Sequence, residues 1–479
     1  MKQINIYSKT RELLGDILTP VSIYLKVRDR FPNSFLLESS DYHAKENSIS
    51  YIAFSPLAEF MVDDRSVYQQ LPGAKKETIP INGTNVKNLF YNFSQYFNAG
   101  KEANNGYTKA GLFGFTSYEG VQLFDTIQFN KKKKSVFEIP LMQYFFFEYV
   151  IAFDHFSNKI FITHNGLKDS NQNQKLDEIE MLISSNNTPE YGFQTNGLVE
   201  SNMTDSEYRE SVLKAIANCK RGDTFQMVLS RNFSTQFKGD EFKLYRALRS
   251  INPSPYLFYF DFGSFKIFGS SPEAQLEVNQ GKASIFPIAG TYKRSGDDEQ
   301  DAENAKALFE DVKENSEHVM LVDLARNDLS KSGERVNVEK FKEIQFFSHV
   351  IHLVSKVSTV LKKGKTAIDL AADTFPAGTL SGAPKHRAMQ LIDEYENTKR
   401  GYYGGMIGLM DFHGNFNHAI LIRSFLSQDN TLHFRAGAGV VAKSDPDSEV
   451  QEVYNKIGAL QSAIIKADSI NQKLETKKS

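Results

Sequence analysis

The chain has 479 residues, with 56 Lys and Arg against 58 Asp and Glu, one cysteine and no tryptophan. A net charge of -2 gives no electrostatic footprint for DNA or RNA, and the lone Cys219 excludes an internal disulfide and a cysteine-built metal site. The N-terminus lacks the apolar run and small-residue cleavage site of a signal peptide, and no stretch is a membrane span, so a cytoplasmic protein is expected.

In chain order, residues 35–40 (FLLESS) and 49–56 (ISYIAFSP) read as strands joined by a polar turn. Residues 110–119 are glycine-punctuated sheet, and the KKKK run at 131–134 is a solvated loop, too short to argue for a polyanion. A buried apolar strand spans 141–155, and a small amphipathic helix lies within 168–190 before a polar connector. The second half opens with Thr204 and Glu207 as a capping box, an apolar stripe through Tyr208, Val212, Ala215, Ile216 and the buried thiol of Cys219, and Gly222 as the stop. Strands follow in TFQMVLSRNF, PYLFYFDF, FKIFGSS and ASIFPIAG. A helix is expected over 311–329, then a strand in IHLVSKVSTVL, a Gly/Pro turn (FPAGTLSGAP) and a helix over 384–396. YYGGMIGLMDF, NHAILIRSF and LHFRAGAGVV read as strands, with a last helix from about residue 449. The length alone suggests two or three domains. Helices separated by hairpins indicate an α+β fold rather than alternating βαβ units.

Several stretches carry chemistry. Glu310, Glu314 and Glu317 fall at i, i+4 and i+7, so their carboxylates share one helix face; it is either a solvated edge or a cleft wall facing a cation. Glu449 and Glu452 face together near another helix start, where glutamates also complement the dipole. FPIAGTY and FRAGAGVVA place glycines straight after strands, as turns or as exposed N–H groups for carboxylate oxygens. GTLSGAPK sets small residues at a helix start that favours an anion. Arg423, inside the apolar strand AILIRSF, must be paired, either with a structural carboxylate or with a ligand's. Two glutamate pairs without a Cys or His ligand pattern suit Mg²⁺ before Zn²⁺. Together these outline a site for a small anion bearing more than one carboxylate.

At these motifs the chain resembles the chorismate-utilising enzymes over nearly its whole length. LLESS, NPSPY, FGSSPE, PIAGT, SEHVMLVDLARNDL, GTLSGAPK, YYGG, LIRS and GAGVV occur in the family's order. The resemblance implies a four-layer α/β/β/α fold with two orthogonally packed, mainly antiparallel sheets. It implies a tryptophan-binding region within residues 1–190 and a chorismate-binding catalytic half at 200–470, interleaved in one unit. Glu317 and Glu452 resemble the Mg²⁺ ligands, with Glu314 and Glu449 behind them. Arg423 and Tyr403, helped by N–H groups around Gly437, Ala438 and Gly439, resemble the groups holding the enolpyruvyl carboxylate. Gly290, Thr291 and Thr379 correspond to the ring end of the pocket. Glu273 resembles the general acid for the departing C4 hydroxyl, and His352 the histidine implicated in pyruvate elimination. Glu38, Ser39, Pro253, Ser254 and Pro255 match a feedback pocket for tryptophan.

Two positions separate the branches of the family. Ala289 stands where aminodeoxychorismate-forming relatives carry a lysine, and Gln226 where water-adding relatives carry a lysine base. Both favour formation of anthranilate and pyruvate from chorismate and ammonia, a Mg²⁺-dependent first step toward L-tryptophan. The alternatives are an aminodeoxychorismate-forming enzyme and a catalytically silent tryptophan-sensing subunit. Cys219 lacks a glycine-rich nucleophile turn, so glutamine hydrolysis is expected from a separate amidotransferase subunit, in a hetero-oligomer, unless free ammonia is used.

Overall fold

Two long strands, Ile49–Val62 and Met142–Asp154, pair antiparallel along their lengths, and the rest of the sheet structure grows outward from them. The structure, a computed structural model, describes residues 3–39, 48–100, 110–168, 170–346 and 350–475; the side chains of 291, 293, 313 and 471–475 lie outside that description. The register of the central pair shifts between Pro56 and Ala58, beside Ser55 at φ 62°. Such a bulge bends a strand and lets it pass from one sheet into another.

Before the bend, Ile49–Val62 pairs with Phe35–Ser39. That ladder continues through Tyr256–Asp261, Lys266–Ser271, Ser424–Gln428, Thr431–Val441 and Gln226–Gly239. On its other side Met142–Asp154 leads to Lys159–Gly166 and Ile4–Leu14. Past the bend, the central pair meets Ser66–Gln70 and Gly111–Thr116. The second ladder runs on through Met406–Asp411, Phe416–Ile420, Ala274–Asn279, Lys282–Ile285 and Val350–Leu361. These pairings are antiparallel, as expected of α+β; Ile4–Leu14 with Phe97–Ala99 is parallel. Each ladder joins a block of strands from the first half of the chain to a block from the second, meeting at Phe35–Ser39 with Tyr256–Asp261 in one and at Gly111–Thr116 with Met406–Asp411 in the other.

Among the described residues three large apolar cores follow from this plan, beside a small one around Leu308 and Ile351. Phe35, Phe113, Phe115, Phe145, Phe147, Phe258 and Phe260 fill the space between the two sheets, Phe35 stacking on Phe260 at 4.0 Å. Helices Asp205–Arg221, Glu241–Ile251 and Pro446–Glu475 cover the outside of the first sheet, and Val86–Gln95, Val312–Ser332 and Ala367–Thr374 that of the second. The result is the four-layer α/β/β/α order. Thr204 and Glu207 form the expected reciprocal cap, Gly222 closes that helix at φ 85°, and Cys219 is buried. In the lysine run Lys131, Lys132 and Lys134 are exposed, as expected of a solvated loop, and Lys133 is the exception: its side chain is 8% exposed and pairs with Asp393 at 2.6 Å. Among the described residues no helix is long and apolar enough to cross a membrane.

Phe35→Ala leaves a hole between two sheets that cannot close independently. It should cost about 3–5 kcal/mol, read as a lowered denaturant midpoint with an unchanged slope.

Candidate active site

Only Pro272 and Glu273 separate the strands Lys266–Ser271 and Ala274–Asn279. The Glu273 carboxyl is 8% exposed and accepts from Thr379 Oγ1 at 3.1 and 3.2 Å. Burial pushes it up to about 8, against the opposing pull of the Thr379 hydroxyl and the Lys456 charge. A carboxyl held protonated at neutral pH is a proton donor. The short turn Gly378–Leu380 presents Thr379, and Gly378 lies so close to Leu324 that a Cβ would stand 2.2 Å from its Cδ2.

Gly290 has φ 69°, and a Cβ there would lie 2.6 Å from Leu308 and 3.3 Å from Glu314 Oε2. Its carbonyl receives His352 Nδ1 at 2.7 Å. A carbonyl only accepts, so the imidazole proton sits on Nδ1 and Nε2 is the basic nitrogen. Burial, helped by the charge of Arg423, lowers the His352 pKa and keeps the ring neutral. The Thr291 side chain lies outside the described residues.

Arg423 is not inside a strand. It sits at φ 51° between Phe416–Ile420 and Ser424–Gln428, and this left-handed residue divides the apolar run that the sequence reading took as one strand. Its Nη1 donates to the Lys456 carbonyl at 2.6 Å, rather than to a carboxylate. Burial lowers its pKa, and nearby Tyr403 and Glu452 oppose that shift. One carbonyl uses one of five guanidinium donors, leaving a fork for a ligand carboxylate. Tyr403 is buried, and its phenol is pushed up to about 12.

The glycines of GAGVV lie within the strand Thr431–Val441 rather than after it. Gly437 pairs with Ser230 and Gly439 with Val228. Ser230 and Val228 donate away from this strand, to Glu396 and to the Ser381 carbonyl, so their partners form the non-hydrogen-bonded pairs of the ladder. The N–H groups of Gly437 and Gly439 therefore turn to the opposite edge, where Lys456 Nζ holds the Gly437 carbonyl at 3.0 Å. Ala438, between them, is fully buried. A Cβ on Gly439 would stand 2.6 Å from Gln226 Nε2, so the glycine makes room for that amide. Lys456 escaped the sequence reading; its i+4 spacing from Glu452, to which it pairs at 3.2 Å, was the available signal.

The acidic face is smaller than expected. Asp311 at ψ 112° ends the helix Asp298–Glu310, so Glu310 belongs to a different helix from Glu314 and Glu317, which lie in Val312–Ser332. Glu449 and Glu452 lie near the start of Pro446–Glu475, Glu449 buried and Glu452 partly open. Among the described residues no three His, Cys, Asp or Glu side chains gather as a ready-made metal cage. On one side Glu314 lies against Gly290, whose carbonyl receives His352; on the other, Arg423 bonds the carbonyl of Lys456, whose ammonium pairs with Glu452, and the Arg423 charge acts on His352. An oxygen-only donor set short of a full cage fits Mg²⁺, which keeps waters and takes one or two carboxylates plus a substrate oxygen.

A separate cavity of about 770 Å³ is lined by Glu38, Ser39, Pro255, Tyr256, Pro272 and Ala274, among others. Pro253 and Ser254 do not line it, and Ser254 is buried. Glu38 accepts from the Tyr245 hydroxyl at 2.6 Å and Arg249 Nε at 3.0 Å.

The family of chorismate binding enzymes matches residues 34–462. The chain belongs to that family. It is a chorismate-utilising enzyme. It is 35% identical to anthranilate synthase component 1 of Acetivibrio thermocellus, over 98% of this chain and 97% of the relative. The component 1 protein of Aquifex aeolicus (strain VF5) is 36% identical over 96% and 95%. Among solved structures, anthranilate synthase component I from Streptococcus pneumoniae TIGR4 superposes with a TM-score of 0.71 at 30% identity, covering 94% of this chain and 98% of that one.

The folded Glu273 carboxyl keeps its proton to about pH 8, against an ordinary value of 4.5. Between those values the native state binds the extra proton, so rising pH favours the unfolded chain, by at most about 1.4 kcal/mol per unit. The stability of wild type relative to Glu273→Gln should therefore fall between pH 5 and 8 and level off above. Chemical denaturation at several pH values measures this; parallel profiles would mean that the buried carboxyl is already ionised.

Proposed function

We propose that the protein is the synthase component of an anthranilate synthase, converting chorismate and ammonia to anthranilate and pyruvate. What supports this reading is a Glu273 carboxyl whose burial favours its protonated form, together with a His352 that donates from Nδ1 to the Gly290 carbonyl and so keeps Nε2 as its basic nitrogen. Arg423 and Tyr403, with the edge N–H groups of Gly437 and Gly439, would hold the enolpyruvyl carboxylate. Glu317 and Glu452, backed by Glu314 and Glu449, would hold Mg²⁺. When bound, the ion neutralises the ring carboxylate and fixes the ring. Glu273 gives its proton to the C4 hydroxyl, which departs as water. The ring double bonds shift, ammonia bonds at C2, and the proton it sheds restores the acid. His352 then removes the C2 proton, the C3–O bond breaks, and the released enolpyruvate takes a proton to become pyruvate. Gln226, a neutral amide beside Gly439, cannot deprotonate water as a lysine base would, which suits ammonia as the nucleophile.

Glutamine hydrolysis would fall to a separate amidotransferase subunit. Cys219 is buried, and burial pushes its thiol above the ordinary value, the opposite of an activated nucleophile. Purified chain with Mg²⁺ and an ammonium salt should turn chorismate into fluorescent anthranilate without an added lyase. Glutamine should not replace ammonium. Accumulation of aminodeoxychorismate would refute the reading. Glu317→Gln and Glu273→Gln should each lower kcat by about 10²-fold or more.

The cavity bounded by Glu38, Ser39 and Pro255 is the proposed seat of feedback inhibition by tryptophan. Ser39→Phe should keep catalysis and lose inhibition. Unchanged inhibition of that variant would move the inhibitor elsewhere.

A further inference from the structure

Arg400 is 2% exposed, and its guanidinium reaches three separate parts of the site. Nη1 donates to the carbonyl of Leu380, the residue after Thr379, at 2.7 Å. Nη2 donates at 2.6 Å to the carbonyl of Val228, two residues past Gln226 and opposite Gly439. The guanidinium carbon lies 5.8 Å from the centre of the Tyr403 ring and 4.5 Å from that of Tyr118. Glu396, four residues earlier and just past the end of its helix, locks this fork through Nε at 3.0 Å and Nη2 at 2.6 Å, and is itself held by Arg435 and Ser230. We infer that Arg400 is a positioning residue for the reaction, setting the Thr379 turn, the Gln226 strand and Tyr403 at fixed separations.

A buried ion-pair cluster is a poor way to gain stability, since well-packed apolar residues of similar size often do better. What arginine supplies is a rigid planar fork that can bind two carbonyls and a carboxylate at once, which a lysine ammonium cannot span. Losing the fork lets the three segments drift. A displacement of about 1 Å at a reacting group can cost on the order of a hundredfold in rate.

This inference rests on the proposed assignment of Glu273, Thr379 and Tyr403, so the test follows chorismate consumption whatever the product. Arg400→Lys and the gentler Glu396→Gln are compared with Arg28→Lys, which alters another largely buried arginine, paired with Asp240 at 2.6 Å and bonded to no residue of the site. Each variant is measured for Tm, kcat and KM with Mg²⁺ and ammonium. For Arg400→Lys, kcat should fall roughly tenfold to a hundredfold with less than about a fivefold rise in KM, with a smaller loss of the same kind in Glu396→Gln. Arg28→Lys should lose Tm but not kcat. If Arg400→Lys does not fold, Glu396→Gln decides alone. Folded Arg400 or Glu396 variants with wild-type kcat, or losses confined to KM, or an equal kcat loss in Arg28→Lys, would overturn the inference. A product other than anthranilate would instead sink the proposed activity and leave this result standing.

Discussion

A carboxyl group held away from water is the constraint on which the rest of the site depends. Glu273 remains protonated at neutral pH because burial outweighs both the Thr379 hydroxyl and the Lys456 charge. That burial needs walls on every side. Ile420 donates to the Glu273 carbonyl from the neighbouring strand, Thr379 closes from the turn above, and Leu324 of the acidic helix presses against Gly378 beneath that turn. The helix bearing Glu314 and Glu317 is thus a packing neighbour of the element that holds the acid. Moving either shifts the other, because close-packed interiors transmit strain.

Much of the fold was legible because each element's period agreed with its end signals. The cap of Thr204 and Glu207 and the stop at Gly222 follow from local rules, and the structure keeps them; the strand after them is present too, but buried on both faces from Gln226 to Phe233 rather than alternating. The misreadings arose where one backbone angle decides. Asp311 carries no helix-breaking composition, yet its extended ψ separates Glu310 from Glu314 and removes one carboxylate from the expected face. Arg423 looks like a strand residue by its neighbours, and only its left-handed φ turns its side chain toward the C-terminal helix. Single-residue breaks leave no periodic trace.

The glycines illustrate a different limit. Their sequence pattern suggested loops that expose N–H groups, and the structure exposes them by another route. Thr431–Val441 pairs fully with Gln226–Gly239, but with Ser424–Gln428 only over its first four residues, from Thr431 to Phe434. Beyond Phe434 one edge of the strand is open, and alternation sends Gly437 and Gly439 to that edge. The expected chemistry survives on different geometry. Pairing of distant strands sets it, and periodicity within a single segment cannot report such pairing.

Strand alternation also explains how a cavity and a cleft come to share one wall. Glu273 points to Thr379, whereas its neighbours Pro272 and Ala274 line the cavity that Glu38 and Ser39 bound on its far side. The strand Val350–Leu361 differs: Val354 lines the cavity, and His352, two residues before it and so on the same face, bonds the Gly290 carbonyl. A wall one strand thick has no buffer layer. Atoms packed into the cavity bear directly on the backbone that aims the acid and on the strands that hold the histidine. The two spaces are therefore neighbours through shared backbone, since the turn around Glu273 and the strand Val350–Leu361 each carry residues of both.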